Sequence, residues 1–339
     1  MKTVGEAIAA AKSENVLICA GECTATILPQ FGGKIASIRI GERELLQAPL
    51  TPIAPRSRTM SFDEGDASGW DECLPSVAAC LLETEAGPAE IPDHGDLWRV
   101  GWRKQESGTG DQGPEGIDEN GASVTLIGRC FSLPLELERR VEIHEEKSGW
   151  RLVLNYKLRN TGRHPVPWSW AAHPLFAAEE GDRIVLPETI RALQLEGSGG
   201  NRLGTKGDMV SWPRARVSDG AVVDLRMVGN TDSRIGDKLF AGPLQGPENW
   251  CVLERTSAGV RIRVTLDQQA TPYLGLWMCY GGWPERPGPK QMCLAMEPST
   301  APVDSLARTG PWSRALGPGE SFSWPMKVEI ERIERQRDA

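Results

Sequence analysis

The chain has 339 residues, 38 Lys and Arg against 46 Asp and Glu, and a formal net charge of −8. An acidic chain without clustered Lys and Arg excludes a nucleic-acid backbone or an anionic lipid surface as the main partner, and no apolar run approaches the ~18 residues of a spanning helix. With 37 glycines and 25 prolines, long helices are disfavoured and short strands joined by turns are favoured. In chain order, Val4, Ile8 and Ala11 share helical spacing and predict a short helix within an N-terminal segment at 1–20. Glu6 and Lys12 interrupt any apolar stretch of a secretory signal there. The period then changes to two. Residues 24–28 and 34–40 read as strands around a Gly32-Gly33 turn, residues 49–70 as a long polar loop, and residues 104–121 as a polar insertion. Strands follow at 122–131, 135–143, 150–158, 184–186, 221–225, 250–255, 260–266, 273–278, 292–296 and 321–330.

More than ten strands with scarcely any helix predict an all-β chain, one large antiparallel β-sandwich over residues 21–332 behind the short N-terminal helix. The eight cysteines form no CxxC pair and no Cys/His zinc spacing, so they read as buried thiols of a reducing cytoplasm, with no metal expected. Neither a GxSxG elbow nor a GxxxxGK[ST] loop occurs. The one GxGxxG match, at 108–113, has no apolar strand before it and reads as a loop tip.

Candidate chemistry centres on few residues. Of four histidines, His144 and His164 read as solvent-facing. His94 sits in Asp93-His94-Gly95, where Gly95 permits backbone that a Cβ would obstruct, and His173 ends an apolar approach at His173-Pro174. Taken singly, each is better explained as a core imidazole bonded to a backbone carbonyl. Glu297 ends the apolar run Met292-Cys293-Leu294-Ala295-Met296, where desolvation raises a carboxyl toward the range of a base. Asp71, Glu72 and Asp237 are further acidic candidates, or simply turn residues. Trp70, Trp98, Trp102, Trp168, Trp170 and Trp277 lie near these motifs, as core residues or as flat faces for a sugar ring.

The order of Phe31-Gly32-Gly33-Lys34-Ile35, Gly69-Trp70-Asp71-Glu72 with Pro75, Asp93-His94-Gly95, His173-Pro174-Leu175-Phe176 and a strand-end Glu297 resembles aldose 1-epimerases and the galactose-mutarotase-like superfamily. The resemblance implies a mutarotase-like supersandwich with a sugar cleft on one concave sheet and no cofactor. It implies Glu297 as general base, His173 as general acid and His94 as a sugar-binding, polarising residue. Asp237 loosely matches an aspartate that binds sugar hydroxyls; Asp71, Glu72 and Trp277 complete the expected substrate contacts. Arg99 falls one place later than the arginine of the family motif. The partner expected is a small sugar, and the chain is expected to be a monomer or homodimer. Three other readings stay open: sugar binding without turnover, glycoside hydrolysis or lysis by Glu297 with Asp71 or Glu72, and a sugar-phosphate epimerase with Arg56, Arg58 or Arg99 at the rim.

Overall fold

A computed structural model describes residues 15–105 and 122–333. The expected helix over Val4, Ile8 and Ala11 and the glycine-rich stretch at 108–113 lie outside the described residues. The last part of the segment read as helical is a strand. In Val16–Ala20, Val16 and Ile18 are buried while Leu17 and Cys19 are exposed, and the strand pairs with Cys23–Leu28. Period-two alternation with one covered face decides for a strand over five residues.

Two antiparallel sheets dominate, of eleven and eight strands. Through the larger run, side by side, Lys34–Ile40, Trp70–Cys73, Ala171–Ala177, Met292–Ser299, Tyr273–Tyr280 and Ile235–Ala241. Val260–Thr265, Ser321–Arg332, Gly149–Asn160 and Leu135–Glu146 are adjacent in the smaller. One apolar core joins them, taking Ile38, Leu276 and Met296 from the first sheet and Leu137, Leu154 and Val328 from the second. The alternation that packs this core fixes what the other face presents. In Met292–Ser299, Leu294 and Met296 point inward, so Cys293, Ala295 and Glu297 point outward. The same count places Asp71, His173, Trp277 and Lys238 on the outer face of the larger sheet.

The long loop expected at 49–70 folds over that outer face. Phe62 and Ala67 pack with Trp98 and, less deeply, Met60 and Trp283. Strands with one clean face match the sequence to within a few residues, as in Leu135–Glu146 and Val260–Thr265, and so do Lys34–Ile40 and Trp250–Arg255, which are buried on both faces for most of their length. Trp70–Cys73 and Ile235–Ala241 were not expected as strands, and Ala171–Ala177 only as an apolar approach to His173; all three are covered on both faces and carry no alternation. All eight cysteines are free thiols; Cys19 is exposed and Cys80 and Cys130 half-buried, so only five fit the expected burial. No helix among the described residues is long and apolar enough to cross a membrane.

Candidate functional site

Glu297 is 1% exposed. Across the sheet it stands in one row with Gly275 and Phe240, and Ala295, Trp277 and Lys238 form the next row. Gly275 leaves a gap in which the Glu297 and Lys238 side chains meet. A Cβ there would lie 3.1 Å from Glu297 Oε2 and 3.2 Å from Lys238 Nζ. The Lys238 ammonium donates to Oε2 in a close, buried ion pair and stands 3.9 Å from Asp304 Oδ1. Among the described residues Glu297 Oε1 has no hydrogen-bond partner; the imidazole nitrogen His173 Nε2 is 3.7 Å away.

His173 comes from Ala171–Ala177, next to the Glu297 strand. His94 reaches the same place from a loop. Its backbone takes a φ of 57°, and the following Gly95 has φ 68° with its Cα against the Leu74 carbonyl, a position no Cβ can occupy. Arg99 fixes this turn by donating to the carbonyls of Asp93, Gly95 and, at 3.0 Å, Met60. The late-falling arginine is therefore a loop clamp. His94 Nδ1 donates to Asp93 Oδ2 at 2.7 Å, which leaves Nε2 as the free ring nitrogen. Phe62 stacks on His94 with centroids 3.7 Å apart, and the His94 and His173 rings meet edge to face at 5.2 Å.

These side chains border a cavity of about 360 Å³, within the range of small-molecule sites. His94, His173, Lys238, Trp277, Phe62 and Asp304 line it, with Asp63, Asp93, Gln291 and Trp283 at other points. Glu297 is not itself in the lining; it lies behind His173 and Lys238, in contact with both. Burial pushes the Glu297 carboxyl up, and Lys238 pulls it only part of the way back. Burial, then the neighbouring His94 and the ammoniums of Lys238 and Lys34, hold His173 well below the ordinary imidazole range. Burial would lower Lys238, but the carboxylates of Glu297 and Asp304 outweigh it and hold the ammonium above its usual value.

Of the residues singled out in the sequence, Glu297, His173, His94 and Trp277 converge here. Three others do not reach the cavity. Asp237 is one step out of phase with Lys238, faces the sheet interior, and accepts from Ser198 Oγ, at 2.5 Å, and from Arg202. Glu72 also faces inward and accepts from Arg139 Nη1 at 2.9 Å, Tyr156 OH at 3.0 Å and Trp170 Nε1 at 3.0 Å. Asp71 shares the outer face, directly across from His173, but is ion-paired with the buried Lys34 at 2.6 Å and lies behind the cavity wall. Five of the six tryptophans are core residues, Trp70, Trp98, Trp102, Trp168 and Trp170 each being 2% exposed or less. Arg56 pairs with Asp66, and Arg58 covers Phe131. His144 and His164 are exposed, as expected. Lys238, Asp304 and Phe62 were missed. Phe62 had a signal, a lone aromatic in a polar loop that must bury itself somewhere; Lys238 and Asp304 had none outside the folded register.

No protein-family model and no curated protein matches the chain in sequence. In structure it is similar to the Slr1438 protein of Synechocystis sp. PCC 6803, with a TM-score of 0.66 and 15% identity over 95% of this chain and 96% of that one. It is similar to a galactose mutarotase-like protein of Lactobacillus casei (TM-score 0.63, 15% identity, 94% of this chain and 100% of that one). A galactose mutarotase related enzyme of Lactobacillus acidophilus aligns at a TM-score of 0.63 and 14% identity, over 96% of this chain and 100% of that one. The fold is that of the galactose-mutarotase-like proteins.

Proposed function

We propose that this galactose-mutarotase-like chain interconverts the α and β anomers of an unphosphorylated aldose. The observation that carries the reading is the meeting of His94, His173 and Glu297, from three distant parts of the sequence: the two imidazoles line one cavity, and the carboxylate lies directly behind His173 with one oxygen that has no partner among the described residues. An unsatisfied buried acceptor is costly, and a sugar hydroxyl supplies the missing donor.

Anomer exchange opens and recloses the ring. The C1 hydroxyl loses a proton, the ring oxygen gains one, the C1–O5 bond breaks and C1 becomes an aldehyde. Rotation about C1–C2 and reclosure on the other face reverse both transfers. The catalyst needs one empty and one loaded proton carrier, exchanging roles at reclosure. Burial raises Glu297 and lowers His173, so their proton affinities approach one another and one proton is shared at small cost. In this reading Glu297 takes the hydroxyl proton, His173, carrying a proton in the sugar-bound site at the cost its burial sets, gives it to the ring oxygen, and His94, oriented by Asp93, presents Nε2 to a sugar hydroxyl. Trp277 offers an apolar face to the ring.

The lining charges favour an unphosphorylated sugar. Asp63, Asp93 and Asp304 are acidic, Lys238 is neutralised by Glu297, and Arg56, Arg58 and Arg99 all serve other partners. Phosphate recognition relies on available guanidinium or ammonium groups. The hydrolase reading loses the two carboxylates named for it, since Glu72 is on the far side of the sheet and Asp71 is held by Lys34. The test is polarimetry on freshly dissolved aldoses and their 6-phosphates. Anomer exchange accelerates for at least one neutral aldose and not for the phosphates, and Glu297→Gln slows it by about 10²–10⁴-fold with the far-UV spectrum retained. Preference for a phosphate, or acceleration that survives Glu297→Gln, contradicts the proposal; calorimetric sugar binding with no acceleration returns the chain to a binding protein.

A further inference from the structure

We infer that Lys238 is a positioning residue for this site, a counter-ion that holds the Glu297 carboxylate ionised and aimed at the cavity. The inference rests on reading Glu297 as the base. Its ground is geometry. Glu297 is 1% exposed and Lys238 8% exposed, and they meet across the gap left by Gly275. A carboxyl buried to this depth without a cation is expected to be neutral at pH 7, and a neutral carboxyl cannot accept the hydroxyl proton.

The remaining surroundings do not replace the ammonium. His173 approaches Oε1 from the neighbouring strand, and its own burial disfavours the charged imidazole, so it is no standing cation for Glu297. His94 faces from the loop, already committed to Asp93. The thiols of Cys73 and Cys293 lie near enough to interact with Glu297, and both are held protonated by burial. Behind His173, Lys34 is spent on Asp66 and Asp71. Asp304, following the strand, opposes ionisation of Glu297. Lys238 is the cation in contact with Glu297, and Oε2 receives it while Oε1 stays open. One carboxylate oxygen is thus anchored and the other is free to accept a proton. Such a pair also explains why the one lysine of the lining makes a poor anion site.

The experiment measures Glu297 ionisation twice, by the pH profile of anomer exchange and by carboxyl ¹³C NMR of glutamate-labelled protein, with Glu297→Gln assigning the resonance. A base works only when deprotonated, so activity falls as pH drops through its pKa. In Lys238→Met that limb of kcat and the ¹³C midpoint both move to higher pH, by about 1–3 units, with the loss in kcat rather than KM. Lys238→Arg returns both to the wild-type position. Asp304→Asn, which removes the opposing carboxylate, moves the midpoint the other way and keeps the test open if Lys238→Met does not fold. A Glu297 midpoint that stays put in Lys238→Met, or that does not fall in Asp304→Asn, overturns the inference. If no aldose is turned over, the anomer-exchange reading fails, and the ¹³C midpoints still decide the counter-ion role.

Discussion

Glu72 and Glu297 are both buried carboxylates on the larger sheet, each beside a cation, and they do opposite things. Glu72 points into the space between the sheets, where Arg139, Tyr156 and Trp170 donate to its two oxygens. Glu297 points outward, where one oxygen is held by Lys238 and the other has no partner among the described residues. Burial raises both carboxyls, so the shift alone does not separate a structural acid from a chemical one. What separates them is completeness. A saturated carboxylate fixes packing between two layers, and one left a partner short beside a cavity has something to offer a ligand.

The sharpest way to break this comparison is to spoil the saturated site. Arg139→Met leaves Glu72 charged and uncompensated in the core and also removes the donor to the Gly33 carbonyl. The expected loss is about 3–5 kcal/mol of unfolding free energy, read from urea denaturation, with anomer exchange per folded molecule unchanged. A stable variant with altered exchange kinetics would assign Glu72 to the site after all.

The same pair explains how far the sequence could be read. Strand patterning exposed part of the sandwich through strands with one wet face, as in Leu135–Glu146, whose burial alternates for nine residues before fraying into solvent, though Val16–Ala20 alternates as cleanly and sits in the segment read as helical. Glu297 and His173 stood out because a charge or imidazole after an apolar run is costly unless something uses it. Asp237 and Lys238 could not be told apart in that way. They are consecutive, they face opposite sides of a strand buried on both, and only the cross-strand register with Trp277 and Gly275 says which one meets the cavity. Glu72 and Asp71 pose the same difficulty in Trp70–Cys73, four buried residues in a row. The phase of a strand without a wet face is set by its neighbours, and that information is not local.

A smaller effect sharpens the contrast through pH. His173 sits below its ordinary value in the folded chain, so between that depressed value and about 6.5 the unfolded chain binds a proton that the folded chain refuses. Its contribution to stability is therefore present above about pH 6.5 and is lost as pH falls, at up to about 1.4 kcal/mol per unit. Raised carboxyls such as Glu72 and Glu297 act with the opposite sign, gaining a proton on folding and favouring the folded state at lower pH. Urea midpoints between pH 7.5 and 5.5 are expected to show a flatter acid-side decline in His173→Gln than in the parent. Identical slopes would mean that His173 is not held neutral by its burial.

The most direct measurement follows the two carboxylates together while sugar is added. In glutamate-labelled protein, the carboxyl ¹³C resonance of Glu297 moves saturably on titration with the aldose that is turned over, with the same midpoint as the rate, and that of Glu72 stays fixed. A silent Glu297 resonance at saturating, turning-over sugar, or a response confined to Glu72, would contradict the assignment of the open oxygen to the substrate.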